Sequence, residues 1–129
     1  MTNDEFSGSA GARTVVLDEV ALSRLRELDP DGRHGVLQRV LTAFETSLTR
    51  TLVQLAAERE NGNPGVVSGV AHMLKSSSAS IGALELSRQC AEIEHRLREN
   101  QPGDLSEDVA RLQQAGEATL CAVGAMLRP

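Results

Sequence analysis

The chain has 129 residues, a formal net charge of −5 and a pI near 5.2, and 40% of it is hydrophobic, 24% charged and 2% aromatic. That length suits one domain, and two Phe with no Trp or Tyr leave too few rings for an ordinary β-sandwich or for stacking on single-stranded nucleic acid. The acidic balance also argues against a phosphate-backbone binder, leaving a small helical domain with an aliphatic core.

No stretch approaches the ~18 consecutive apolar residues of a membrane span. The N-terminal MTNDEFSGSAGAR lacks the basic-then-apolar order of a signal peptide, so a cytoplasmic location is expected. Cys90 and Cys121 are far apart and without C-x-x-C spacing, and they read as reduced core thiols rather than a disulfide or metal pair.

Residues 1–14 are small, polar and rich in Gly and Ser, the composition of a disordered leader. From Val15 the periodicity is helical. Leu17 to Leu28 forms a short amphipathic helix with Asp18 placed to cap it, and Asp29-Pro30-Asp31-Gly32 breaks the chain. The run Leu37, Val40, Leu41, Phe44, Leu48, Leu52, Leu55 predicts one helix of about 25 residues, continuing to Glu58-Arg59-Glu60. Asn63 and Pro64 fit the N-cap and first position of a third helix reaching Ile81, where Gly82 interrupts. Ala83–Glu99 is a fourth, with Leu84, Leu86, Cys90, Ile93 and Leu97 inward. After Gln101-Pro102-Gly103, Asp104 and Glu107 have capping-box spacing for a last helix through Leu127. Short connections favour antiparallel neighbours, so residues 15–129 are expected to form an all-α, up-down antiparallel four-helix bundle with a short leading helix.

Residues 63–82, NPGVVSGVAHMLKSSSASIG, contain one formal charge, Lys75. A helical wheel gathers Val66, Val67, Val70, Met73, Leu74 and Ile81 on one face, with Ser77 and Ser78 beside them. Opposite lie Gly65, Ser68, Gly69, His72, Lys75, Ser76 and Ala79. A solvated helix face ordinarily carries long, helix-favouring polar residues; here Gly65 and Gly69 each cost about 1 kcal/mol against Ala. The gain is steric: an imidazole stands clear for another macromolecule. A Zn site is disfavoured because no second ligand lies at i+3 or i+4 on that face. A Ser-His pair with Ser68 or Ser76 lacks a carboxylate within the helix to orient the ring, and a convex helix offers no oxyanion hole. His34 and His95 read as ordinary surface residues. Ser77 and Ser78 are expected to bond back to carbonyls one turn earlier, and Glu92, Arg96 and Glu99 to form a solvated face with weak ion pairs. A neutral imidazole can take a phosphoryl group, and Lys75, one turn on, can pair with phosphoryl oxygens while working against a second positive charge on the ring. No metal ligands or nucleotide loop accompany them, so Mg²⁺ and further charge stabilisation would come from a partner.

The run His72-Met73-Leu74-Lys75-Ser76-Ser77-Ser78 followed by Ile81-Gly82-Ala83 resembles the signature of histidine-containing phosphotransfer (HPt) domains, H-x-L-K-G-S/A-S/A-x-x-h-G-A with h hydrophobic. Leu86, Cys90, Ile93, Glu94 and Arg98 are similar to the family's following L-x-x-x-C-x-x-L-E-x-x-x-R. The leading helix and the inward Phe44 extend the resemblance over residues 15–100. The resemblance implies that His72 is phosphorylated, that Lys75 stabilises the phosphohistidine, and that Arg98 and Glu94 lie near the same face. Gly69, Ser76 and Ala79 would belong to the binding surface, with Ser76 departing from the family's usual Gly. Implied partners are response-regulator receiver domains and a hybrid sensor histidine kinase, the chain itself having no cofactor, no nucleic acid or membrane partner, and no kinase activity of its own. A monomer is expected from the small cleared face. The alternative is a non-phosphorylated helical adaptor that docks receiver or kinase domains by the same face.

Overall fold

The computed structural model describes residues 15–129, and the leader expected at residues 1–14 lies outside the described residues. Five helices and no strand form among them: α1 (Glu19–Glu27), α2 (Val36–Ala56), α3 (Pro64–Ser80), α4 (Leu84–Arg98) and α5 (Leu105–Leu127). Three helix starts carry the caps read from sequence. Asp18 accepts from the Ala21 N–H, Asn63 from those of Gly65 and Val66, and Asp104 from those of Ser106 and Glu107. The helices α2 to α5 make the up-down four-helix bundle, with α3 packed most extensively on α4, α2 on α5, and the short α1 against α2. Leu48, Leu55, Val67, Leu112 and Val123 are wholly buried at its centre. Burying one such side chain contributes about 2 kcal/mol, against about 0–1 kcal/mol for an exposed ion pair, so aliphatic packing holds the bundle together.

The N-terminus of α2 is satisfied from a distance. Its N-cap, Gly35, has no side chain to offer, and Asp29 instead accepts the N–H groups of His34 and Val36. Burial opposes ionisation of Asp29, but these backbone donors prevail and hold its carboxyl below the usual range. The expected breaker is therefore also a cap. At its other end α2 stops at Ala56, short of the predicted Glu60. Past Leu55 no large apolar residue follows to anchor another turn, and the Glu58 side chain instead accepts the Asn63 N–H at 2.8 Å.

Other expectations are corrected at the surface. Leu84 opens α4 52% exposed, while Ala83 and Leu86 take the inward positions. Met73 is 60% exposed because the buried arc of α3 is centred on Val67, Ala71, Leu74 and Ser78, about a third of a turn away. Cys121 is exposed rather than core, and both thiols are free. Arg96 is not on the solvated face: its guanidinium lies over Gly103 and pairs with the buried Asp108 of α5.

The turn between α3 and α4 sets up everything that follows. Gly82 has φ +85°, its N–H donates to Ala79 C=O, and Ala83 N–H donates to Ser78 C=O at 2.8 Å, a Schellman ending. Gly82 C=O in turn accepts the Asp18 N–H, tying the start of α1 to this turn. A Cβ on Gly82 would lie 2.6 Å from Asp18 N and 2.8 Å from Asp18 O, both backbone atoms. Gly82→Ala is expected to lower stability by about 2 kcal/mol or more, from positive-φ strain plus displacement of α1. Urea unfolding with an unchanged m-value checks it.

Candidate functional site

Residues that are 19 and 22 apart in sequence meet across the α3–α4 hairpin. His72 projects from the middle of α3 with its side chain 69% exposed. Its Nδ1 lies 2.7 Å from Oε2 of Glu94 on α4, and the Lys75 ammonium donates to Glu94 Oε1 at 2.8 Å. One turn further along α4, Arg98 donates to Oε2 at 3.3 Å. Glu94 is 4% exposed. A buried charge of this kind persists only when paired and hydrogen-bonded, and here three donors serve two oxygens. The register is pinned nearby, where the Ser87 hydroxyl donates to the Lys75 carbonyl at 2.8 Å across the same interface.

The hydrogen bond from Lys75 is the largest influence on Glu94; burial opposes ionisation, and the contact with His72 assists it. Together they bring the carboxyl from 4.5 down to about 2. Glu94 is therefore ionised at neutral pH and can only accept. Nδ1 must be the donor, which leaves the lone pair of the neutral ring on Nε2, where no hydrogen bond among the described residues engages it. One carboxylate faces two permanent cations, so the cluster with neutral His72 carries one surplus positive charge beside an outward nucleophilic nitrogen.

The cleared face is present as read from sequence: Gly65, Gly69, Ser76 and Ala79 are exposed around His72, with Ser68 and Lys75 half-buried towards its edge. The exposed Met73 joins it as an apolar neighbour. Ser76 makes no hydrogen bond with the imidazole, whose Nδ1 belongs to Glu94. Ser77 bonds back to the Met73 and Leu74 carbonyls as expected, whereas Ser78 is wholly buried with its hydroxyl unpartnered. Cys90, one turn before Glu94, is buried and its thiol pushed up to about 12, chiefly by desolvation, which keeps it a neutral packing group. Neither His34 nor His95 is among the hydrogen-bonding partners of Glu94, and no metal-holding group of three or more His, Cys, Asp or Glu occurs among the described residues. Within α3 no carboxylate could orient the ring; α4 supplies it. Lys75 is likewise not an isolated cation, being joined to that carboxylate.

Two stability outcomes follow. Glu94 titrates near 4.5 unfolded and about 2 folded, so its contribution is complete above pH 4.5 and fades as pH falls towards 2. Glu94→Gln should flatten that acid limb of stability, measured by thermal unfolding from about pH 2 to pH 6. A Cβ added at Gly69 would meet no atom within 4 Å. Gly69→Ala should therefore stabilise the bundle by roughly 0.5–1 kcal/mol in urea unfolding, which would show that the glycine is not retained for internal packing.

The chain matches the family model described as Hpt domain over residues 39–120. Its fold is similar to the crystal structure of histidine-containing phosphotransfer protein B (HptB) from Pseudomonas aeruginosa PAO1, with a TM-score of 0.73 and 20% identity. That likeness covers 87% of this chain and 94% of the other. No curated protein sequence matches. With the family model spanning more than half of the sequence, the chain belongs to the Hpt domain family.

Proposed function

We propose that this chain is a histidine phosphotransfer protein of a two-component phosphorelay, carrying a phosphoryl group between receiver-domain aspartates on Nε2 of His72. The observation that carries this reading is the Nδ1–Glu94 contact at 2.7 Å beneath a ring that is 69% exposed. It fixes the tautomer, aims the lone pair outward, and leaves room for a second protein to bring phosphorus in line. Lys75 and Arg98 are the cations within reach of the incoming group, and they already sit on α3 and α4 around Glu94. Gly69, Ser76 and Ala79 give the partner close approach, and Met73 gives it an apolar contact.

Receiver domains and a sensor kinase are the proposed partners, with Mg²⁺ held by the receiver rather than by this chain. The proposed setting is the cytoplasm; no helix among the described residues is long and apolar enough to cross a membrane. A monomer suffices for the site, since all four polar residues of the cluster come from one chain.

The test is transfer from a phosphorylated receiver domain. His72→Gln should abolish acid-labile labelling while leaving the helical circular-dichroism spectrum and unfolding transition in place. Lys75→Ala should slow transfer or shorten the phosphohistidine lifetime. It should also lower stability, because a buried carboxylate loses a donor. Undiminished labelling of the His72 variant would refute the reading, and binding of a receiver without any labelling of the wild type would favour the adaptor alternative.

A further inference from the structure

The two ring nitrogens of an imidazole diverge widely, so a ring whose Nδ1 is held on one side offers Nε2 to the other. At His72 the held side is that of α4, where Nδ1 lies 2.7 Å from Glu94. At about 100° per residue, Lys75 and Ser68 are displaced from His72 by about 60° and about 40° towards that side, and both are half-buried. Gly69 and Ser76 are displaced by similar angles the other way, and both are exposed. Ser76 is thus the hydroxyl on the Nε2 side. Helical side chains lean towards the N-terminus, so Ser76, four residues on, leans over His72 rather than away from it. Cβ atoms at this spacing are about 5–6 Å apart, a gap that a hydroxyl and a phosphoryl group on Nε2 close together.

That hydroxyl is also uncommitted. Ser77 donates to the Met73 and Leu74 carbonyls and Ser80 to that of Ser76, the local bonds usual for helical serines. Among the described residues the Ser76 hydroxyl makes no such bond. Lys75, the cation on the other side of the ring, is already joined to Glu94. A phosphoryl dianion on Nε2 therefore meets a shared ammonium on one flank and a free donor on the other, and hydrogen bonds to an ionised acceptor are the stronger kind. Resting on the phosphotransfer reading above, we propose that the Ser76 hydroxyl donates to a phosphoryl oxygen of phosphorylated His72 and so lengthens the life of the phosphohistidine against water. In hydrolysis a water oxygen bonds to phosphorus and the N–P bond breaks, its electron pair returning to Nε2. Both water protons leave with the phosphate, as dihydrogen phosphate. In a loose transition state negative charge passes from the phosphoryl oxygens towards the departing ring, so a donor on them favours the intact phosphohistidine and slows its loss.

The experiment uses the full chain, phosphorylated with phosphoramidate, freed of the reagent and followed by ³¹P spectra at neutral pH, folded and in urea. Ser76→Ala removes the hydroxyl at an exposed helix position, and circular dichroism checks that the bundle is intact. The folded lifetime should shorten at least about threefold, a low figure for a charge-assisted hydrogen bond that water can partly replace. In urea the lifetimes of wild type and variant should coincide. A smaller change in the folded chain, or an equal change in urea, overturns the proposal. Ser76→Gly also lacks the hydroxyl and should match the Ala variant. A lifetime shortened in only one of the two traces to side-chain bulk or helix propensity, and overturns it as well. Slowed transfer to a receiver with an unchanged lifetime would make Ser76 a docking contact only, again against the proposal. Failure of His72 to acquire phosphate from both phosphoramidate and a phosphorylated receiver overturns the phosphotransfer reading itself, and this inference with it; phosphorylation with a lifetime indifferent to residue 76 overturns this inference only.

Discussion

A carboxylate buried between two helices has to be answered by donors, and at Glu94 the answer comes from both sides of the α3–α4 hairpin. His72 and Lys75 reach it from α3 and Arg98 from its own helix. The same contacts that make a buried anion tolerable fix the imidazole and gather two cations near it. Stability and chemistry are thus not separable at this place. Leaving the anion without its donors would cost folding free energy, and leaving the ring without the anion would free it to turn.

The hairpin must hold its register for this to work. One residue of slip along α4 would rotate Glu94 by about 100° away from His72. The Schellman ending at Gly82, the Ser87 hydroxyl on the Lys75 carbonyl, and the fully buried Cys90 and Ile93 all act against such a slip. Asp18 joins α1 to the same turn through the Gly82 carbonyl. The leading helix therefore steadies the turn that sets the site, although it contributes none of the cluster's residues.

Local signals in the sequence were legible where the physics is local. Caps at Asp18, Asn63 and Asp104, the breakers, and the apolar period of α2 each depend on neighbours within a turn or two. What escaped the pattern depends on distant partners. Asp29 looked like a turn residue but caps a helix seven positions on, at Val36. Arg96 looked solvated because nothing in α4 reveals that Asp108 of α5 lies against it. Met73 and Leu84 are apolar and lie near the boundary of a face, where a wheel without neighbours cannot say which side is covered.

The sequence by itself determined the five-helix order, the isolated His72 with Lys75 at i+3 on a face of small residues, and the motif resemblance that extends into α4. These follow from helical periodicity and residue size, which a linear string records directly. Only the tertiary structure decided that Glu94 is the group orienting His72, that Lys75 is shared rather than free, and that Nε2 is the nitrogen left facing outward. Those facts depend on how two helices are set against each other, and a separation of 22 residues carries no angle or distance until the hairpin closes. The acidic, aromatic-poor composition fits an aliphatic bundle; that Glu94, named by the resemblance as near the same face, is buried and touches the ring was decided only once α4 had been laid on α3.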